Sequence, residues 1–203
     1  MTKLVLATRN VYKVAELRRI LGEAGLDGVE LVGVEAFPGV EDVAETGVTF
    51  VENARLKAVA VARATGVPAV ADDSGLCVDV LGGAPGVFSA RWSGRHGDDL
   101  ANLRLLLSQL GDVPDAHRTA HFACAAVLAL PDGTERAVEG RLPGVLIREP
   151  RGTNGFGYDP IFVPDVERRT TAELTPAEKD AVSHRGRAFR ALVPAVRELV
   201  PGG

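Results

Sequence analysis

A short apolar run that ends in two adjacent acids places the strongest constraint on the fold of this 203-residue chain. Residues 67–71 read Val-Pro-Ala-Val-Ala, and Asp72, Asp73, Ser74 and Gly75 follow directly. A continuous apolar run of this length is typical of a strand that is buried on both faces of a sheet. In open α/β sheets, ligands bind just beyond the carboxyl ends of such strands, so the two acids mark a candidate ligand site.

The adjacent acids have two interpretations. Two poorly hydrated carboxylates repel each other unless a positive charge lies close to them, and a divalent metal ion often supplies that charge. Alternatively, Asp-Ser-Gly forms a turn in which the acids are hydrated. The rest of the chain has to decide between a metal site and a turn.

Length and composition indicate a globular protein without a membrane segment. The length suffices for one large domain or two closely packed lobes with a real core, and 46% hydrophobic and 25% charged residues are ordinary globular values. The absence of an 18-residue apolar run and of a signal-peptide pattern predicts a cytoplasmic protein without a membrane segment. Cys77 and Cys124 lack metal-ligand spacing, which indicates reduced thiols. The net charge of −4 disfavours a nucleic-acid partner.

A candidate phosphate site follows the first predicted strand, residues 3–8. Apolar residues with helical spacing begin after Asn10, which places Asn10 at a helix N-terminus and Lys13 in its first turn. A lysine at the positive end of a helix dipole is unfavourable unless an anion joins it, and the backbone N–H groups there bind phosphate. The alternative is an ordinary N-cap asparagine followed by a surface lysine.

Capping and turn signals predict the elements in the middle of the chain. A second strand at 29–34 leads into an acidic loop at 35–48, and a capping box at 49–52 starts a helix that ends at Thr65-Gly66. Within that helix, Asn53 and Lys57 lie four residues apart and therefore share one face.

The second half of the chain contains a predicted β-hairpin, a glycine-rich loop and a helix. Residues 118–130 and 134–145 form the hairpin, and a capping box at 173–178 starts one long C-terminal helix. Three glycines and two aromatics in residues 151–160 indicate backbone in close approach to a flat ligand such as a stacked base, although an ordered loop is the alternative. His184 on its own is more typical of a hydrogen-bonded partner than of a catalyst.

Six ordered motifs closely resemble those of the inosine/xanthosine triphosphate pyrophosphatases, which act on non-canonical purine nucleotides, and the resemblance runs from about residue 3 to about residue 199. The motifs are Thr8-x-Asn10-x-x-Lys13, Glu45-Thr46-Gly47-x-Thr49-Phe50-x-Glu52-Asn53-Ala54, Ala71-Asp72-Asp73-Ser74-Gly75-Leu76, Gly82-Gly83-Ala84-Pro85-Gly86, Phe156-Gly157-Tyr158-Asp159-Pro160 and Ser183-His184-Arg185-Gly186.

The resemblance implies an α/β fold with a mixed central sheet flanked by helices, and two lobes with a nucleotide cleft between them. It also implies that residues 1–203 form a single domain. The expected activity is hydrolysis of ITP, dITP and XTP to the monophosphate and pyrophosphate, with Mg²⁺ as cofactor. A homodimer is the expected assembly.

The resemblance also assigns site residues by position. Asp73 is expected to act as general base and magnesium ligand, and Ser74 to touch the substrate. The triphosphate is expected to be held by Thr8, Arg9, Asn10, Val11, Tyr12 and Lys13. The rest of the nucleotide site is expected to comprise Phe156, Gly157, Tyr158, Asp159, Lys179, His184 and Arg185.

One position departs from the family pattern. Many members carry a second acid just before the Glu of the Glu-Thr-Gly motif, and this chain has Ala44 there. We therefore assign the second magnesium ligand to Glu45, with Glu41 or Asp42 as substitutes.

Other functions remain as alternatives at this point. A nucleotide sensor without turnover would not need a water-activating carboxylate, and a reader of inosine in nucleic acid conflicts with the negative net charge. An enzyme of the same architecture that acts on pyrimidine or modified canonical nucleotides is the third alternative.

Overall fold

The computed structural model of the chain describes residues 1–199. Short 3-10 turns connect some of its longer elements. In chain order the strands and α-helices are β1 (Thr2–Leu6), α1 (Val11–Glu23), β2 (Val29–Gly33), α2 (Phe50–Thr65), β3 (Ala69–Val78), α3 (Asp99–Gln109), β4 (Thr119–Ala129), β5 (Glu135–Leu146), β6 (Phe162–Pro164), α4 (Pro176–Val182) and α5 (His184–Arg197).

The strands form one mixed sheet in the order β2-β1-β3-β4-β5-β6. β1 runs parallel to both β2 and β3, whereas β5 and β6 are antiparallel. The turn at 130–134 closes the predicted hairpin with a hydrogen bond from the Leu130 N–H to the Thr134 carbonyl. The predicted mixed α/β fold is confirmed.

Two compact units make up the chain. The first comprises residues 1–73, 124–140 and the segment from 185 onward, and the second comprises residues 74–123 and 141–184. The single domain predicted for residues 1–203 stays a prediction, and its last four residues lie outside the described range.

The core of the first unit lies on both faces of its strands. Along β3, Val70 packs in a cluster with residues of α1 and α5, whereas its neighbours Ala69 and Ala71 pack in a second cluster with residues of α2. All three side chains are fully buried. The prediction of a strand buried on both faces is therefore confirmed, and alternation along the strand sends successive side chains to different helices.

The second unit has a core of its own. Leu76 and Val78, at the end of β3, pack with Leu103 and Leu106 of α3 and with Phe162 of β6. The helix α3 is therefore fixed by its apolar face, and its N-terminal residue Asp99 lies at the start of a well-packed element.

The helix starts agree with the capping signals. The Asn10 side chain accepts hydrogen bonds from the N–H groups of Tyr12 and Lys13, as an N-cap does. Both capping boxes are present, Thr49 with Glu52 and Thr175 with Glu178. Local sequence chemistry alone was sufficient for these three boundaries.

Two predicted boundaries are wrong. The strand β3 does not end at the acids but continues to Val78, well past Val70, where its parallel neighbour β1 ends. The C-terminal helix is two helices, because Ser183 has an extended backbone with φ −60° and ψ 147°. This break lets α5 start afresh at His184.

Across the described residues, none of the helices is both long enough and apolar enough to cross a lipid bilayer. Cys77 and Cys124 are free thiols, as predicted.

Candidate active site

The pleat of β3 separates the two adjacent acids. Asp72 lies on the same face of β3 as Val70 and contacts residues of α1 and α5. Asp73 lies on the same face as Ala71 and contacts a residue of α2. Successive side chains of a strand point to opposite faces, so the two carboxylates do not form one joint pair of ligands. The repulsion expected between them is relieved by separate partners.

Asp72 is the buried centre of a cluster of cations. The Lys13 ammonium lies 3.0 and 2.8 Å from its two carboxylate oxygens, and the Arg185 Nε lies 3.0 Å from Oδ2. The Asp72 side chain is 1% exposed. Burial on its own would raise the pKa of Asp72, but the charges of Lys13 and Arg185 outweigh it and hold that pKa well below its usual range. Asp72 is therefore ionised at neutral pH.

Both cations lie in the first turn of a helix. Lys13 is the third residue of α1 and Arg185 is the second residue of α5. The positive end of a helix dipole disfavours a cation, and here the Asp72 carboxylate supplies the compensating negative charge. Two cations and two helix N-termini thus lie around the Asp72 carboxylate, and the charge of Glu16 also acts on Arg185. Helix N-termini accompanied by cations can bind phosphate.

Lys57 connects the acidic loop to β3. Its ammonium donates to Glu45 Oε1 and to the Asp72 carbonyl, both at 2.7 Å. Lys57 reaches both acceptors from the same face of α2 as Asn53. The predicted metal ligand Glu45 is thus held next to the strand that carries the two acids.

The Asp73 carboxylate is held by a side-chain amide of α2. The Asn53 Nδ2 donates to Asp73 Oδ2 at 3.0 Å, and the Asn53 Oδ1 accepts from the Gly47 N–H at 2.8 Å. Asp73 is partly exposed, unlike Asp72. A partly exposed carboxylate that is oriented by an amide donor can accept a proton from water.

The number of acids in this region suits magnesium better than it suits a metal ion whose ligands all come from the protein. No group of three or more His, Cys, Asp or Glu side chains in the described range could hold a metal ion. Magnesium usually takes only one or two carboxylates and completes its shell with water and substrate phosphates, so Asp73 and Glu45 fit it. Asp42 instead pairs with Arg9 at 3.1 Å. The assignment of Glu45 stays a prediction.

The glycine-aromatic loop of the second unit is fixed by Asp159. This buried carboxylate accepts the Phe156 N–H at 2.8 Å and the Thr171 hydroxyl at 2.8 Å, and it forms an ion pair with Lys179. Phe156 remains 62% exposed, with the Lys179 ammonium 5.1 Å from its ring centroid. Phe156 therefore offers a ring face, whereas Asp159 holds the loop.

Two further contacts set the orientation of this loop. The Gly157 N–H donates to Asp99 at 3.0 Å, and the hydroxyl of the buried Tyr158 donates to the Ser89 carbonyl at 2.9 Å. The Tyr158 side chain is thus part of the core rather than of an open surface. Its predicted contact with the substrate stays a prediction.

His184 is also largely buried. Its ring stacks on Phe122, with ring centroids 4.9 Å apart and an interplanar angle of 13°. It is 8% exposed and lies directly before Arg185 at the start of α5.

The predicted site residues thus fall into two groups. Asp73, Lys13 and Glu45 belong to the first unit together with Arg185, and the aromatic loop belongs to the second. The site residues assigned by the resemblance did not include Asp72, Asn53, Lys57 or Asp99, although the sequence marked Asp72 with Asp73 as a candidate ligand site. The i, i+4 spacing of Asn53 and Lys57 was a usable signal, whereas Asp99 carried none beyond its place at a helix start.

Gly75 is a position where the fold leaves no room for a side chain. A Cβ atom there would lie 2.4 Å from the Ser89 Oγ and 2.5 Å from the Gly86 carbonyl oxygen. We expect Gly75→Ala to lower the free energy of unfolding by about 1–3 kcal/mol, because one of the two obstacles is backbone.

Chemical denaturation would measure the effect, with Gly22→Ala as control. A Cβ at Gly22, in α1, meets no atom within 4 Å, so that change should be neutral or should stabilise by about 0.5–1 kcal/mol. Equal stability of the Gly75 variant and the wild type would contradict the close approach.

The comparisons with known proteins agree with this fold. The model of the Ham1 family matches residues 4–195. A curated protein of Streptomyces avermitilis, named dITP/XTP pyrophosphatase, is 70% identical over 200 residues, which cover 98% of this chain and 100% of the relative.

Two solved structures are similar over nearly the whole chain. The nucleoside-triphosphatase / dITP/XTP pyrophosphatase of Mycobacterium abscessus is 57% identical with a TM-score of 0.81, over 97% of this chain and 100% of that one. A HAM1 protein from Coxiella burnetii is 42% identical with a TM-score of 0.89, over 98% of this chain and 100% of that one. The match to the family model and these relatives show that the chain belongs to the Ham1 family.

Proposed function

We propose that this protein hydrolyses the non-canonical purine nucleoside triphosphates ITP, dITP and XTP to the monophosphate and pyrophosphate, and so removes them from the nucleotide pool. The observation that carries the proposal is the pairing of Lys13 and Arg185 on Asp72, the residue that directly precedes Asp73 in the same strand. The printed names of the similar proteins support the same activity.

The first unit carries the groups for the reaction. Lys13, Arg185 and the N-termini of α1 and α5 supply positive charge for the triphosphate. Asp73 accepts a proton from the water whose oxygen bonds to the α-phosphorus, while the bond from that phosphorus to the bridging oxygen breaks and pyrophosphate leaves. Magnesium, when held by Asp73 and Glu45, supplies further neutralisation of phosphate charge.

The second unit carries the candidate groups for the base. Hypoxanthine and xanthine present a 6-oxo acceptor where adenine presents an amino donor, so a donor in the site favours the former. The N–H groups of Phe156 and Gly157 already donate to carboxylates. We therefore assign recognition of the 6-oxo group to His184, because Arg185 belongs to the first unit and pairs with Asp72 there. Guanine also has a 6-oxo group, so its exclusion depends on its 2-amino group.

A substrate panel tests the proposal. The purified protein is incubated with Mg²⁺ and ITP, dITP, XTP, ATP, GTP or a pyrimidine triphosphate, and pyrophosphate and orthophosphate are measured separately. Pyrophosphate should appear fastest from ITP, dITP and XTP. Orthophosphate as the direct product, equal rates for adenine nucleotides, or binding without turnover would each contradict it.

Phe156 offers a more specific test of base binding. Base stacking on an aromatic ring contributes about 1–3 kcal/mol, so Phe156→Ala should raise KM for dITP about 5- to 150-fold. Phe88→Ala is the matched control, since Phe88 is 52% exposed and also lies under a cation, with Arg91 at 5.4 Å. An unchanged KM for the Phe156 variant, or equal effects of both changes, would exclude stacking on Phe156.

We also propose that the protein acts in the cytoplasm as a homodimer and does not bind nucleic acid. The net charge of −4 supports the last point. Light scattering of the purified protein measures the mass in solution, and a value near 21.3 kDa would exclude the dimer.

A further inference from the structure

We propose that Asn53 is a positioning residue, whose side-chain amide fixes the Asp73 carboxylate and the Glu45–Gly47 loop relative to each other. The inference rests on the proposed function, because it gives Asn53 a part in the same hydrolysis. Asn53 itself touches neither the reacting phosphorus nor the water in this scheme.

The side-chain amide of Asn53 contacts both Asp73 and the loop that carries Glu45. Asn53 is fully buried, its Nδ2 donates to Asp73 at 3.0 Å, and its Oδ1 accepts the Gly47 N–H at 2.8 Å. The donor and the acceptor belong to the same planar group, so a shift of the loop would rotate the donor away from Asp73. Glu45 lies two residues before Gly47, so Asn53 fixes the backbone of its loop while Lys57 holds its carboxylate at 2.7 Å.

The helix α2 keeps this amide in place. Asn53 is the fourth residue of α2, and its backbone N–H bonds to the carbonyl of Thr49, where the capping box begins. The loop packs against it closely, since a Cβ at Gly47 would lie 2.6 Å from the Glu52 Cβ and 2.8 Å from the Asn53 Oδ1. The helix, the loop and β3 therefore meet at a single side chain.

An amide suits this position because it donates to Asp73 without adding charge. A cation there would hold Asp73 in the unreactive, strongly paired state that Asp72 shows. A carboxylate would repel Asp73 and offer no donor. Asparagine therefore orients the base without adding a charge of its own to the site.

Two substitutions separate the two hydrogen bonds. Asn53→Asp keeps the side-chain volume and the acceptor for Gly47 but loses the donor to Asp73, whereas Asn53→Ala loses both. We expect kcat for dITP to fall about 10–100-fold in each variant, with KM close to that of the wild type. Electron paramagnetic resonance with Mn²⁺ in place of Mg²⁺ should show metal binding about 10–100-fold weaker in Asn53→Ala.

Asn102 provides the matched control. It is also a buried helix asparagine, with Oδ1 accepting the Ser93 N–H at 2.7 Å and Nδ2 donating to the Ala90 carbonyl at 3.2 Å. Asn102→Ala and Asn102→Asp should lower thermal stability, yet leave kcat and Mn²⁺ binding unchanged. Asn102 connects a helix to a loop as Asn53 does, but it does not contact Asp73. A difference between the Asn53 and Asn102 variants therefore reports the contact with Asp73.

The results of these experiments distinguish a positioning role of Asn53 from a purely structural role. Wild-type kcat in Asn53→Asp, or equal losses in the Asn53 and Asn102 variants, would overturn the positioning role. Loss of folding in both Asn53 variants would overturn it too, because the amide would then serve the structure as a whole. If the wild type releases no pyrophosphate, the proposed function fails, while Mn²⁺ binding still decides whether Asn53 positions the acids.

Discussion

Asp73→Asn is expected to lower kcat for dITP by about 10²–10⁴-fold while nucleotide binding persists. The substitution keeps the shape of the side chain and retains an oxygen that can accept the 3.0 Å hydrogen bond from Asn53. It removes the group that takes a proton from water. Binding should survive because the cations held by Asp72 are unaffected.

Steady-state release of pyrophosphate and calorimetric titration with dITP would measure the two effects separately. Asp79→Asn is a suitable control, since Asp79 follows the end of the same strand and accepts the Thr119 hydroxyl at 2.7 Å. It should keep wild-type turnover. If Asp73→Asn turned over like the wild type, Asp73 would not be the general base.

The elements that sequence predicted well depend on neighbouring residues. The N-cap at Asn10, the two capping boxes and the turn at 130–134 each follow from a few adjacent side chains. The signal for the strand that is buried on both faces was also local, since it is a continuous apolar run. These signals needed no knowledge of the tertiary fold.

The features that sequence missed depend on residues far apart in the chain. Asp72 meets Lys13 across 59 positions and Arg185 across 113, and neither distance leaves a trace in local pattern. The predicted strand end at the acids was wrong, since β3 continues through them to Val78. Resemblance to a family supplied residue roles but not the contacts that produce them.

Asp72 and Asp73 show how local sequence and tertiary contacts together determine a site. Sequence marked Asp72 and Asp73 together because they are adjacent, and it assigned catalysis and metal binding to Asp73 alone. The pleat of β3 shows why the two acids have separate partners. The Asp72 side chain is a buried counter-ion, and Asp73 is partly exposed as the candidate base. Alternation is a property of any strand, whereas the tertiary fold determines which helices each acid meets.

Asp72→Asn is expected to lower the free energy of unfolding by about 3–5 kcal/mol at neutral pH, because it removes the buried carboxylate that pairs with both Lys13 and Arg185. The matched control is Asp42→Asn, since the Asp42–Arg9 pair is exposed and should contribute only about 0–1 kcal/mol. The pKa of Asp72 is lowered on folding from an ordinary value of 3.8, so its contribution is present above that pH and decreases as the pH falls below it. Denaturant unfolding of both variants and the wild type at pH 7 and in acid would therefore show a large gap for Asp72→Asn that narrows at low pH. A gap that stays constant with pH, or one no larger than that of Asp42→Asn, would mean that Asp72 does not hold the cations of this site.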